Sequence, residues 1–98
     1  MMPCSELVMQ EAIRNAAERQ EKVEAKYKAE GEEFYGLCAG WVDSPVGTVK
    51  VSFVQAASRV HYARHRTRKI WHLAGKRIAH DKLVKALDAA YTKQKETD

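Results

Sequence analysis

The stretch Glu33–Val54, EFYGLCAGWVDSPVGTVKVSFV, decides the fold class. From Thr48 to Val54 the residues alternate, with Val49, Val51 and Phe53 on one side and Lys50, Ser52 and Val54 on the other. That period of two is what a half-buried strand requires. Asp43-Ser44-Pro45-Val46-Gly47, just ahead of it, is turn chemistry, since proline presets one backbone dihedral and glycine accepts another closed to most residues. Glu33 to Val42 is then the other arm of a hairpin. Tyr35, Leu37, Ala39 and Trp41 fall on one of its faces, and the small residues Gly36, Cys38 and Gly40 on the other. Small residues in a strand mark a close approach by a ligand or, more commonly, by a helix lying across the sheet.

Before the hairpin, Met9, Ile13, Ala16, Gln20, Val23 and Tyr27 recur at steps of four and three, the stripe of one long helix. Ser5 is its expected cap and Gly31 its stop. Glu18–Lys22 and Glu24–Lys28 are four-residue pairs in the favourable order. After the hairpin, Lys69 to Leu73 and Lys76 to Ala79 read as strands joined by a tight Ala74-Gly75 turn. From His80 or Asp81 onward, Leu83, Val84, Leu87, Ala90 and Tyr91 give a closing helix its apolar face, with Asp81 favoured near the N-terminus by the helix dipole. The expected fold is α+β in a single domain. It has an N-terminal helix ending by residue 31, a small antiparallel sheet of three or four strands (33–42, 48–54, 68–79) and a C-terminal helix over 80–94, with 95–98 frayed. Leu37, Trp41, Val49, Val51, Phe53, Ile70, Leu83 and Leu87 are the expected core.

Residues 55–67 fit two patterns. As a helix, Ala56, Val60 and Ala63 share one side. As a strand, Val60 and Tyr62 point inward but Arg64 and Arg66 follow them onto the same face, which calls for a bend or an edge near Ala63. The extended alternative is slightly favoured.

Charge is distributed more tellingly than its net value of +4. Residues 1–58 hold six cations and nine acids, and residues 59–98 hold eleven cations and four acids, so the chain is acidic first and basic second. Within Arg59–Lys85 nine cations face one acid, Asp81, with four histidines, Tyr62 and Trp71 interleaved. Such a surface suits phosphates or acidic protein. The candidate contacts are Arg59, Arg64, Arg66, Arg68, Lys69, Trp71, Lys76, Arg77, Lys82 and Lys85. On an extended segment Arg64, Arg66 and Arg68 line one face, and Lys76 and Arg77 broaden it. Lys82 and Lys85 open the last helix, whose free amides attract anions. Trp71 either stacks on a base or anchors the sheet, the core role being the commoner for a tryptophan between Ile70 and Leu73.

Other chemistry finds little support. His61 and His65 are four apart, as two ligands on a helix would be, and His72 or a cysteine would complete a set, but no C-x-x-C or H-E-x-x-H spacing exists. Cys38 sits in an apolar strand where an inert thiol is expected, and Ser44, Ser52 and Ser58 have no neighbouring base motif. Gly36 and Gly40 lack the Lys-Ser/Thr ending of a phosphate loop. The expectation is a binding protein without catalytic residues, metal or cofactor. Two cysteines, no apolar run long enough for a bilayer and no signal-peptide pattern point to the cytoplasm with reduced thiols, and no membrane partner is expected.

The order helix, strand, strand, strand, helix resembles double-stranded-RNA-binding domains, which also place lysines at the start of the last helix. The resemblance covers most of residues 33–91. The chain departs from the family in its turn, Asp43-Ser44-Pro45-Val46-Gly47, which stands where a Gly-Pro-x-His loop is expected. A helix at 55–66 followed by a hairpin at 68–79 would instead resemble a winged helix-turn-helix. Three functions follow as expectations. The first is nucleic-acid binding, mainly to the phosphate backbone, through the 59–85 surface. The alternative is a phage- or plasmid-type accessory protein that docks on an acidic surface of a host nucleic-acid-processing enzyme and inhibits or redirects it. The third is an assembly subunit, a homodimer through the Met9–Tyr27 stripe.

Overall fold

The computed structural model describes residues 4–56 and 66–97. It is an α+β fold: helix α1 (Ser5–Ala29), strands β1 (Gly40–Ser44), β2 (Gly47–Ala56), β3 (Arg66–Leu73) and β4 (Lys76–Ile78), and helix α2 (His80–Thr97). The strands form one antiparallel sheet in chain order, β1-β2-β3-β4. The connection at 57–65, with His61, His65 and the choice between helix and strand, lies outside the described residues. On either side of it Gln55-Ala56 and Arg66-Thr67 are strand.

Two tight turns set the register. At Ser44-Pro45-Val46-Gly47 the Ser44 hydroxyl donates to the Gly47 carbonyl (2.6 Å) and accepts from the Val46 N–H (3.3 Å), while Gly47 takes φ +123°. At the second turn Ala74 and Gly75 both have positive φ, 51° and 83°, as the two-residue turn that matches strand twist demands.

Both helices cover the same side of the sheet. Val8, Met9, Ala12 and Ala16 of α1 and Leu83 and Leu87 of α2 are buried with Val49, Val51 and Trp71. Gly40 is the closest approach. A Cβ there would lie 2.5 Å from the Ala16 nitrogen and would also overlap the Ala12 carbonyl, so the small face of β1 is small because a helix lies on it. At the N-terminus Cys4 rather than Ser5 is the cap residue. Ser5 is buried, and its N–H donates to an Asp88 carboxylate oxygen of α2 (3.2 Å). The helix ends in a Schellman motif: Glu32 N–H donates to Tyr27 O (2.8 Å) and Gly31 N–H to Lys28 O (3.0 Å), with Gly31 at φ +77°.

Three expectations are corrected. The strand begins at Gly40, not Glu33. Residues 32–39 instead run back along α1 as a strap, held where Gln20 donates to Gly36 O (3.0 Å) and accepts from Cys38 N–H (2.7 Å), and where Tyr27 meets Phe34 edge-on at 5.0 Å. The glutamine that interrupts the apolar stripe of α1 thus satisfies backbone groups that a strand partner would otherwise take. Leu37 (41% exposed) and Trp41 (43%) are outside the core, and half-buried Ile70 pairs with Ser52 on the side away from the helices. Finally, α2 continues to Thr97 instead of ending at 94. The stripe at Met9–Tyr27 is buried only at Met9 and Ala16, where it meets the sheet.

Candidate functional site

The sheet's second face has no described helix over it. Strand parity gives its composition: Trp41 and Asp43 from β1; Thr48, Lys50, Ser52 and Val54 from β2; Arg68, Ile70 and His72 from β3; Arg77 from β4. Asp43 is the one acid among these and accepts a hydrogen bond from the Thr48 hydroxyl (3.1 Å). Pairing joins Trp41 to Lys50, Lys50 to His72 and His72 to Arg77, so these four form a row that crosses all four strands. Strands lie about 4.8 Å apart, which makes the row roughly 14 Å long.

Each member is placed by a local device. Hairpin β1–β2 sets Trp41 opposite Lys50, and the Ala74-Gly75 turn sets His72 opposite Arg77. Because Gly40 faces the helix, its neighbour Trp41 must face away. The indole has two cations over it, the Arg19 guanidinium carbon at 5.1 Å from the ring centroid and the Lys50 ammonium at 5.7 Å. Contacts of this kind are worth ~0.5–1 kcal/mol at exposed sites. The Trp41 carbonyl, on the outer edge of β1, accepts from Asn15 Nδ2 (2.8 Å), so α1 closes that edge. His72 sits between the two cations of the row, and its Nδ1 is buried with no hydrogen-bond partner among the described residues.

The residues singled out from sequence do not form one surface. Arg68 and Arg77 lie on the open face. Arg66 begins β3 opposite Ala56. Lys69 and Lys76, one residue out of phase with them, are exposed at the margins of the helix-covered face. Lys82 and Lys85 are exposed on α2, across the sheet from the open face. Trp71 is 5% exposed and belongs to the core, with the His80 ring edge-on at 6.4 Å. Arg59 and Arg64 are outside the described residues. Sequence reasoning missed Lys50 and Arg19, assigned Trp41 to the core and weighed His72 only as a metal ligand. The signal for Trp41 was present: it follows the glycine of the close-approach face, and its hairpin partner is a lysine.

Of two clefts, the first borders the site and the second lies on the helix-covered side. The first, about 470 Å³, is a notch beside the short β4, lined by Arg68, Lys69, Ile70, Trp71, Arg77 and Ile78, among others. The other, about 370 Å³, runs between α1 and the start of α2 over Met9, Ile13, Trp71 and Val84. Among the described residues no three histidine, cysteine or acidic side chains group as metal ligands would, and no helix is long and apolar enough to cross a membrane. Cys4 and Cys38 are free thiols. Comparison with protein-family models, curated proteins and solved structures gives no match.

Proposed function

We propose that the protein is a non-enzymatic nucleic-acid-binding protein whose contact surface is the open face of the sheet. The observation that carries this reading is the row Trp41–Lys50–His72–Arg77 with Arg68 beside it, a flat cationic face with an aromatic ring and a single acid occupied by Thr48. Cations at fixed strand spacing neutralise phosphates without needing a base-specific contact. The test is binding of oligonucleotides at rising salt. Lys50→Gln, Arg68→Gln and Arg77→Gln should each weaken binding by a similar factor for any sequence. Unchanged affinity in all three variants would remove the open face as the contact surface.

A second reading has one observation in its favour. β4 pairs only with Trp71–Leu73, so the outer edge of β3 from Arg66 to Ile70 has no described strand beside it and borders the 470 Å³ notch. An acidic extended segment of a partner protein would find backbone groups to pair with there and Arg68 and Lys69 to meet its charge. Loss concentrated at one or two positions, with a shallow salt dependence, would favour that partner.

A further inference from the structure

Resting on the reading of the open face just given, we infer that the nucleic acid is taken as a single strand, with an unpaired base stacked on Trp41. The width of the face is the first reason. The major groove of duplex DNA is about 12 Å wide and admits a helix or a two-stranded ribbon, whereas this row alone spans roughly 14 Å between the outer strands. The sheet therefore cannot enter the groove to reach base edges, and duplex contact would leave the tryptophan without a role.

The second reason is Trp41 itself. It is 43% exposed on the face that has no described helix over it, while the other tryptophan, Trp71, is buried on the helix-covered one. An exposed ring among cations is the arrangement that binds single strands, because every base offers a π-face and every linkage a phosphate. Arg19 and Lys50 already stand over the ring at 5.1 and 5.7 Å. A base that displaces one of them leaves its charge beside the nearest phosphate, so the contact is exchanged and not lost. From Trp41 the row continues through Lys50 to Arg77 and gives the backbone a cationic path across the sheet.

The experiment measures fluorescence anisotropy of four labelled probes of equal length: oligo-dT, oligo-rU, an abasic strand with the same phosphates, and a duplex. Each is titrated with the native chain, Trp41→Ala and Trp41→Phe, after thermal unfolding has shown that both variants fold. The expected result is that base-bearing strands bind roughly tenfold or more tighter than the abasic strand. Trp41→Ala should lose that advantage while leaving abasic affinity unchanged, and Trp41→Phe should keep most of it. The dT and rU arms distinguish DNA from RNA as the source of the strand. Equal affinity for abasic, duplex and base-bearing probes, or indifference to Trp41→Ala, would overturn the single-strand inference and leave the open-face reading standing. No binding of any probe would remove both.

Discussion

Gly40 and Trp41 are adjacent and face opposite ways, and much of the site follows from that pair. Gly40→Ala would drive a methyl group into the backbone of α1 at Ala12 and Ala16, which cannot give way as a side-chain tip could. The loss should reach or exceed the upper end of the about 1–3 kcal/mol usual for overpacking, read from denaturant unfolding. The two tryptophans make a sharper comparison. Trp71→Ala empties a buried site and should cost about 3–5 kcal/mol. Trp41→Ala removes a partly exposed ring and its two cation contacts and should cost about 1–2 kcal/mol. Equal losses would mean that the faces of the sheet are assigned wrongly. That assignment was partly legible in the sequence. The small residues flagged a helix approach, yet Trp41 was placed with Leu37 in the core because large apolar residues were assumed to point inward. Close approach selects small side chains on the inward face of an edge strand, so here size and burial are inverted.

Among the elements, the two hairpins were the most legible, since each turn carries its own chemistry in four residues. Counting back from Ser44–Gly47 pairs Trp41 with Lys50, and counting back from Ala74-Gly75 pairs His72 with Arg77. What joins the halves is the pairing of Lys50 with His72, which depends on the β2–β3 register. Its paired ends, Ala56 and Arg66, are separated in the chain by residues 57–65, whose sequence carries no two-residue turn signal, so the row could not be read from local signals. The strap at 32–39 was misread for a related reason: an extended segment looks the same whether its backbone bonds go to a strand or, as here, to the side chain of Gln20. Ala74 gives a direct test of the second hairpin. Its φ of 51° is unfavourable for alanine, and Ala74→Asn would create the Asn-Gly pair preferred in such a turn. The variant should be more stable by up to about 1 kcal/mol, seen as a higher Tm. A lower Tm would argue against the turn.

Over the whole molecule, the helices lie on one side of the sheet and Lys50, Arg68 and Arg77 on the other, so the basic half of the sequence is divided between two surfaces. Lys82 and Lys85 carry the same formal charge as the sheet cations but sit on α2, beyond the core formed by Leu83 and Leu87. Composition counted them together, and only the fold separates them. This division gives the most direct test of the central claim, that the open sheet face is the nucleic-acid interface. The measurement is the slope of log affinity against log salt for a single-stranded oligonucleotide. It compares the native chain with the triple variant Lys50→Gln/Arg68→Gln/Arg77→Gln and the double variant Lys82→Gln/Lys85→Gln. With about 0.7 of a slope unit per phosphate contact on single strands, the triple variant should flatten the slope by roughly two units, and the double variant should leave it near the native value. A slope flattened by the α2 variant and unchanged by the sheet variant would contradict the account.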